Sequence, residues 1–156
     1  MSMMDQPSGP PMRPVAEIHG ALDATAGSGT RLIVAWFLAL SEGRVDDALS
    51  LMVPDGPYFL LRQRKTITNT EFAGIIRGLV GTTFLKPINW SLGAMTEQGD
   101  RVAAIAGSRV PLASGGQYEN LYHFLFRMQG SRIFEVLEFG DTFRSAQTFA
   151  SPPGQG

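Results

Sequence analysis

The sequence of 156 residues contains no cysteine and only two histidines, His19 and His123. Without cysteine the chain can form no disulfide and no thiolate centre, and two histidines are too few for a histidine-rich zinc site. The glycine-rich segment at residues 26–30 lacks a complete phosphate-binding pattern. We therefore expect no metal and no cofactor, and the lack of cysteine favours a cytoplasmic protein.

The chain also lacks an excess of charge of either sign. Thirteen lysines and arginines stand against fourteen aspartates and glutamates, for a net charge of -1. No basic run is present, which argues against a nucleic-acid partner. The longest apolar run covers residues 32–40, far fewer than the roughly 20 residues that a bilayer-spanning helix needs. We expect no membrane segment.

Hydrophobic residues make up 44% of the sequence, enough for one compact domain of this length. Both ends are rich in proline, glycine and serine, which bury too little apolar surface to offset the entropy of the chain. We predict a flexible N-terminal tail at residues 1–27, one domain at residues 28–149 and a flexible C-terminal tail at residues 150–156.

The hydrophobic period changes about halfway along the chain. Apolar residues recur at helical spacing in three segments, residues 28–42, 45–53 and 69–79, and a capping-box pattern, Thr68 to Glu71, precedes the third. A brief strand is predicted after Asp55. Four further strands, at residues 88–95, 101–110, 118–127 and 132–140, are joined by short polar turns that favour antiparallel hairpins. The predicted fold class is α+β, with three helices before a curved antiparallel sheet.

The turns between these strands predict which side chains share a face of the sheet. If the glycine pair at 115–116 forms a two-residue hairpin turn, Arg109 lies opposite Tyr122 and Pro111 lies opposite Asn120. Arg109, Asn120 and Tyr122 are then expected on one face. A different loop length would change this assignment.

A three-residue loop at 128–130 would place Asn120 opposite Glu138, so that Glu138 joins the same face, which the helices should cover. The opposite face is too apolar for a sheet surface in contact with water. A two-fold homodimer would explain it. The expected interface residues are His123, Leu121, Leu125, Leu137 and Phe139.

The order of helices and sheet, with "ALSEGRVDDALSLM", "YENLYHFLFR" and "GSRIFEVLEFGDT", resembles the SnoaL-like branch of the nuclear-transport-factor-2-like superfamily over residues 30–149. The residues that carry the resemblance are Tyr118, Asn120, Tyr122, Gly130, Ile133, Glu138, Asp141 and Thr142. The resemblance implies a cone-shaped sheet wrapped around the helices, a cavity between the two, and dimers through the convex face.

The resemblance leaves several functions open, because the superfamily includes ketosteroid isomerases, polyketide cyclases, dehydratases, relatives of limonene-epoxide hydrolase and domains that only bind. The epoxide-hydrolase pattern is matched at Tyr58, Arg109 and Glu138. Leu60 and Pro111 stand where that pattern has an asparagine and an aspartate, and both would be needed to position water.

We predict a cofactor-free acid/base enzyme in which Glu138 transfers a proton while Arg109 and Tyr58 stabilise an oxyanion. The expected contacts of a small, largely apolar substrate are Asn120, Tyr122, Trp36, Leu60, Pro111 and Asp141. Three other interpretations stay open. Arg109 and Glu138 can form a structural ion pair, Trp36 and Asp141 can be core and turn residues, and the cavity can belong to a non-catalytic binding module.

Overall fold

The three predicted helices and five predicted strands occur in the predicted order, and further elements lie between and around them. The computed structural model describes residues 9–149. The helices are α1 (Val15–Ala21), α2 (Ser28–Ser41), α3 (Val45–Ser50), α4 (Asn69–Leu79) and α5 (Thr142–Phe149). The strands are β1 (Arg13–Pro14), β2 (Pro57–Leu60), β3 (Lys65–Thr68), β4 (Asn89–Gln98), β5 (Arg101–Pro111), β6 (Gln117–Gln129) and β7 (Arg132–Gly140). A short 3₁₀ turn, Leu61–Gln63, connects β2 to β3.

The strands form one sheet in the order β1-β4-β5-β6-β7-β2-β3. All neighbours are antiparallel except β2 and β7. The register between β4 and β5 shifts between Leu92 and Met95, an irregularity of the kind that bends a strand. The predicted α+β class, with a curved and mainly antiparallel sheet around the helices, is confirmed.

The core lies between α2 and the inner face of β6. Trp36 and Phe37 are almost fully buried and pack edge-on against Phe124 and Phe126, with ring centroids 5.3–6.3 Å apart. The Trp36 indole N–H donates to the Met52 sulfur at 3.3 Å. Burial alternates strictly along the first half of β6, as expected for a strand with one face toward the core.

Helix α4 begins where the sequence predicts. The Thr68 side chain accepts a hydrogen bond from the Glu71 backbone N–H at 3.1 Å, and the Glu71 carboxylate accepts one from the Thr68 backbone N–H at 2.7 Å. The capping box is therefore confirmed, and it fixes the start of a helix that forms one wall of the candidate site.

The predicted turn between β5 and β6 is wrong. Arg109 pairs with Glu119, not with Tyr122, because the connection spans residues 112–116 and is five residues long. Within this connection the Leu112 N–H donates to the Gly116 carbonyl at 3.0 Å, Leu112 also forms a bridge to Phe84, and the Ala113 N–H donates to the Thr83 carbonyl at 3.0 Å. This shift of three positions along β6 is odd, so it moves the Arg109 side chain to the outer face of the sheet.

The predicted turn between β6 and β7 is also wrong, but its consequence differs. The strands pair out to Gln129 and Arg132, and a bulge at Arg127 and Met128 absorbs the irregularity. Glu138 therefore lies opposite Phe124, four positions from the predicted partner. An even shift keeps each side chain on its face, so the expectation that Glu138 points inward is confirmed.

The structure differs from the prediction at both ends of the domain. Within the predicted N-terminal tail, residues 13–21 form β1 and α1, and Val15 is 2% exposed. Strand β3 and helix α5 were not predicted. Residues 1–8 of that tail, and the whole predicted C-terminal tail at 150–156, lie outside the described residues. Within residues 9–149, no helix is both long and apolar enough to cross a bilayer.

Candidate active site

A cavity of about 330 Å³ lies between α4, the inner face of the sheet, the 3₁₀ turn and α5. Its wall is mainly aromatic and aliphatic, and it includes Leu60, Phe72, Phe84, Ile88, Trp90 and Phe149. The polar residues of the wall are few, and they lie on β6, β7, α5 and the 3₁₀ turn. A pocket of this kind suits a largely apolar small molecule with one polar end.

Glu138 is the acidic residue in this wall. Its strand neighbours are Leu60 on β2 and Phe124 on β6, so its carboxyl group has apolar side chains on both sides. Burial raises the pKa of the Glu138 carboxyl from 4.5 to about 8, because an apolar site disfavours the charged form. No ion pair of the described residues includes Glu138. The carboxyl is therefore largely neutral at pH 7.

Tyr58 lies near Glu138 but behind the cavity wall. Its ring is 1% exposed and stacks on Phe72, with centroids 4.0 Å apart. Burial raises the pKa of the Tyr58 hydroxyl well above its usual value, and the nearby charge of Glu138 adds to the effect. The hydroxyl therefore stays protonated, and Phe72 separates the ring from the space that a ligand would occupy.

Hydroxyl groups and one amide form a buried network beside Glu138. The Tyr118 and Tyr122 oxygens lie 2.9 Å apart, and both rings line the cavity. Asn120 donates from Nδ2 to the Tyr118 oxygen at 2.8 Å and to the Ser145 oxygen at 3.1 Å. Ser108 donates to the Tyr122 oxygen at 3.4 Å. Burial raises the pKa of Tyr122, so its hydroxyl is a hydrogen-bond donor at any physiological pH.

Two residues predicted for the site lie outside it. Arg109 is on the outer face, where its side chain is 64% exposed and forms an ion pair with Glu119 at 3.1 Å. Pro111 ends the same strand and is not part of the cavity wall. The predicted pairing of Arg109 with Glu138 is therefore wrong, both as a catalytic pair and as a structural ion pair. The turn is longer than predicted, so each side chain of β5 lies on the opposite sheet face from the predicted one.

The other predicted site residues have different roles in the structure. Leu60, Tyr122 and Glu138 line the cavity, whereas Asn120 supports it through hydrogen bonds. Trp36 is a core residue, with its indole N–H bonded to a methionine sulfur. Asp141 immediately precedes α5, and its carboxylate accepts hydrogen bonds from two backbone N–H groups of the first turn at 3.0 and 3.2 Å.

Several site residues were missed by sequence reasoning. Tyr118 has the same strand parity as Asn120 and Tyr122, and that signal was sufficient to place it on the inner face. Ser108 points inward, as the predicted turn had wrongly suggested for Arg109. Ser145 and Phe149 could not be found without α5, whose mostly exposed and polar sequence gives little helical signal.

Arg62 connects the 3₁₀ turn to α5 across the edge of the cavity. Its guanidinium donates to the Phe149 carbonyl at 3.0 Å and lies 5.0 Å from the centre of the Phe149 ring. The Phe149 ring also packs against Tyr118 and Phe84. Arg62 therefore holds α5 against the cavity, and its charge is already engaged.

The residues that the structure describes contain no cluster of three or more histidine, aspartate or glutamate side chains placed to hold a metal ion. The polar groups of the cavity wall are the Glu138 carboxyl, several hydroxyls, the Arg62 guanidinium and the Gln63 amide. These groups can donate and accept protons and can bind a ligand oxygen.

The outer face of the sheet carries the residues predicted for a dimer interface. Leu121 and Phe139 are 44% and 41% exposed, and Phe139 lies opposite His123. Glu135 forms an ion pair with Arg127 at 3.3 Å. The apolar patch on this face, formed by Leu121, Leu125, Leu137 and Phe139, remains the predicted interface.

No family model and no curated protein matches the sequence. Several solved structures are similar to this chain. A candidate SnoaL-like polyketide cyclase from Shewanella putrefaciens is 14% identical, with a TM-score of 0.71 over 88% of this chain and 94% of that one. An NTF2-like protein of unknown function from Burkholderia pseudomallei is 14% identical, with a TM-score of 0.70 over 81% of this chain and 100% of that one.

An LEH-like epoxide hydrolase from M. tuberculosis is also similar, at 14% identity and a TM-score of 0.66 over 78% of this chain and 88% of that one. At such low identity these likenesses concern the fold and not the reaction. Together with the sheet order and the helices inside its curve, they confirm the resemblance at the level of the fold: the chain has the nuclear-transport-factor-2-like fold found in SnoaL-like proteins.

Proposed function

We propose that this chain is a small-molecule enzyme that transfers protons with Glu138 inside an apolar cavity. The observation that carries the proposal is a carboxyl group with no ion-pair partner among residues 9–149, a pKa of about 8 and a place in the cavity wall. A group that titrates near neutral pH can both release and recover a proton during a catalytic cycle. A carboxyl kept only for stability would be expected to have a partner.

The polar groups of the cavity favour isomerisation, cyclisation or dehydration over epoxide hydrolysis. One carboxyl next to hydroxyl donors is sufficient to move a proton and to stabilise a developing oxyanion. Epoxide opening by the pattern considered above needs further groups that position water. Arg109 and Pro111 are outside the cavity, and Leu60 offers no polar atom. The likeness to an epoxide hydrolase therefore supports the shared fold and not that activity.

Deuterium exchange tests the proposal without knowledge of the natural substrate. The probe is 2-acetylnaphthalene, an apolar ketone whose methyl hydrogens exchange with D₂O when a base removes them. We expect the protein to accelerate this exchange, with a rate that rises with pH and levels off above about 8 as Glu138 ionises. The Glu138→Gln variant should bind the ketone and lose the acceleration.

A binding module is the competing function, and one observation favours it. Among the described residues, Arg62 is the one cationic side chain of the cavity wall that could pair with Glu138, and it is engaged with Phe149. If the ketone binds and its hydrogens exchange at the same rate with the native protein and with Glu138→Gln, catalysis by Glu138 is rejected and the cavity serves for binding alone.

We also propose that the protein forms a homodimer. Its interface is the apolar patch on the outer sheet face, on the opposite side of the sheet from the cavity. Exposed leucine and phenylalanine side chains on neighbouring strands form a surface that a second copy would remove from water. The cavity in this arrangement stays open to a ligand in each subunit.

A further inference from the structure

The buried network beside Glu138 has a fixed direction, which starts at Asn120. The Leu121 backbone N–H donates to Asn120 Oδ1 at 2.8 Å, so the amide nitrogen must face the hydroxyl groups. From there Nδ2 donates to the Tyr118 oxygen at 2.8 Å. Tyr118 therefore acts as an acceptor toward Asn120, and its own hydrogen is available for another neighbour.

Two oxygens compete for the hydrogen of Tyr118. Ser145 is 3.3 Å away, already receives a hydrogen bond from Asn120 at 3.1 Å, and donates to the Asp141 carbonyl at 3.3 Å. Tyr122 is closer, at 2.9 Å. The shorter distance and the partners of Ser145 assign the Tyr118 hydrogen to the Tyr122 oxygen.

The Tyr122 oxygen then accepts two hydrogen bonds, one from Tyr118 and one from Ser108 at 3.4 Å. A phenolic oxygen has two acceptor positions and one hydrogen. With both acceptor positions filled, that hydrogen has no acceptor among the described residues. Tyr122 lines the cavity, so a ligand can reach the hydroxyl.

We propose that the Tyr122 hydroxyl donates a hydrogen bond to the carbonyl oxygen of a neutral ligand, and that Asn120 fixes this direction through Tyr118. This inference rests on the proposed function, since it names the substrate class of the same cavity. A neutral ligand is favoured over an anion because Arg62 is the one cationic residue in the described cavity wall, and it is bonded to Phe149.

A matched pair of probes tests the hydrogen bond directly. The first is 2-acetylnaphthalene. The second is 2-isopropenylnaphthalene, in which a CH₂ group replaces the carbonyl oxygen at nearly constant shape. We expect the native protein to bind the ketone about tenfold more tightly, the effect of one well-placed hydrogen bond. The carbonyl stretch of the bound ketone should lie at lower frequency than in a hydrocarbon solvent.

Tyr122→Phe removes the donor and keeps the ring. We expect this variant to bind both probes equally and to return the carbonyl stretch toward its hydrocarbon value. The affinity for 2-isopropenylnaphthalene should stay at the native level, which shows that the cavity is intact. A ketone preference that persists in Tyr122→Phe would overturn the assignment of Tyr122.

Asn120→Asp tests the direction of the network. The new carboxylate still accepts from the Leu121 N–H but cannot donate to Tyr118, so Tyr118 should turn its hydrogen toward residue 120. Tyr122 then loses one donor and can give its own hydrogen to Tyr118. We expect the ketone preference to fall while the hydrocarbon probe still binds, and an unchanged preference would overturn the role of Asn120.

These equilibrium measurements are independent of turnover. If the preference is present but Glu138→Gln exchanges deuterium as fast as the native protein, the proposed function fails and the binding inference stands. If exchange depends on Glu138 but the two probes bind the native protein equally, the inference about Tyr122 fails alone.

Discussion

Two glutamates on neighbouring strands show how surroundings determine the chemistry of one residue type. Glu119 lies on the outer face, 58% exposed, and pairs with Arg109. Glu138 points inward, between apolar neighbours, and burial raises the pKa of its carboxyl to about 8. The surface pair contributes little to stability because water screens it. The inward carboxyl destabilises the fold when it is charged, which is a cost that a catalytic role would explain.

That cost predicts how stability depends on pH. Between pH 4.5 and about 8 the folded chain holds a proton on Glu138 that the unfolded chain releases, so its contribution is fully favourable below pH 4.5 and is lost as pH rises through 8. Glu138→Gln removes this dependence. Between pH 5 and pH 9 we therefore expect the stability of the variant relative to the native protein to increase by about 4 kcal/mol.

Urea unfolding of both proteins at the two pH values measures this difference. Glu119→Gln is the matched control, since its carboxylate is exposed and its removal should change the pH dependence little. Parallel pH profiles for the native protein and Glu138→Gln would show that Glu138 ionises as an ordinary carboxylate.

The sequence predicted the sheet face of Glu138 correctly and that of Arg109 wrongly, for one physical reason. A strand has a period of two, so an even error in register leaves each side chain on its face and an odd error reverses it. The error was four positions for Glu138 and three for Arg109. Loop length depends on contacts between residues far apart in the sequence, such as Ala113 and Thr83, and the local pattern does not indicate these contacts.

At the scale of elements, α5 decides the shape of the cavity. Thr142, Ser145 and Phe149 belong to its wall, and Arg62 holds the end of the helix through a hydrogen bond and a contact with the ring. The helix is short, largely exposed, and contacts few other elements. Such an element is expected to open locally at much lower free energy than the sheet.

Arg62→Leu should release α5 without unfolding the domain. We expect faster amide hydrogen exchange at residues 142–149, with unchanged exchange in β5 and β6, because the variant loses one charge-assisted hydrogen bond and one cation–π contact, each worth about 1 kcal/mol. Hydrogen-exchange mass spectrometry measures this. Arg64→Leu, in the same connection, serves as the control. Equal exchange of α5 in native protein and Arg62→Leu would contradict the role of Arg62.

Helices α2 and α4 were predictable because local signals define them. The apolar period of α2 and the Thr68 capping box appear in the sequence itself. Helix α1 was assigned to a tail because of the prolines and glycines around it, and its one buried residue, Val15, gives no period. Where an element is held mainly by distant contacts, the local pattern carries too little information.

At the scale of the whole molecule, the curved sheet separates two apolar surfaces. The inner face holds the cavity, and the outer face carries the exposed Leu121 and Phe139. The change from helical to strand period was sufficient to predict the α+β architecture. The cavity volume and its polar wall were not predictable, because they depend on α5 and on the true registers.

The outer face predicts the oligomeric state. We expect the native protein to have twice the mass of one chain in solution, and the double variant Leu121→Arg with Phe139→Arg to be a folded monomer, since charges would be buried at the interface. Light scattering after size exclusion measures both. Leu85→Arg is the control, because Leu85 is 59% exposed and lies in the connection between α4 and β4, outside the strands that carry the patch. A native monomer, or a dimer that survives the double change, would contradict the interface.

The central claim is that Glu138 is a neutral, proton-transferring acid at physiological pH, and its own titration tests this most directly. Carbon-13 NMR of the glutamate side-chain carboxyl resonances, with Glu138→Gln to assign the signal, gives the midpoint. We predict a midpoint near pH 8, set by burial in the cavity wall. A midpoint near the ordinary value of 4.5 would contradict the account.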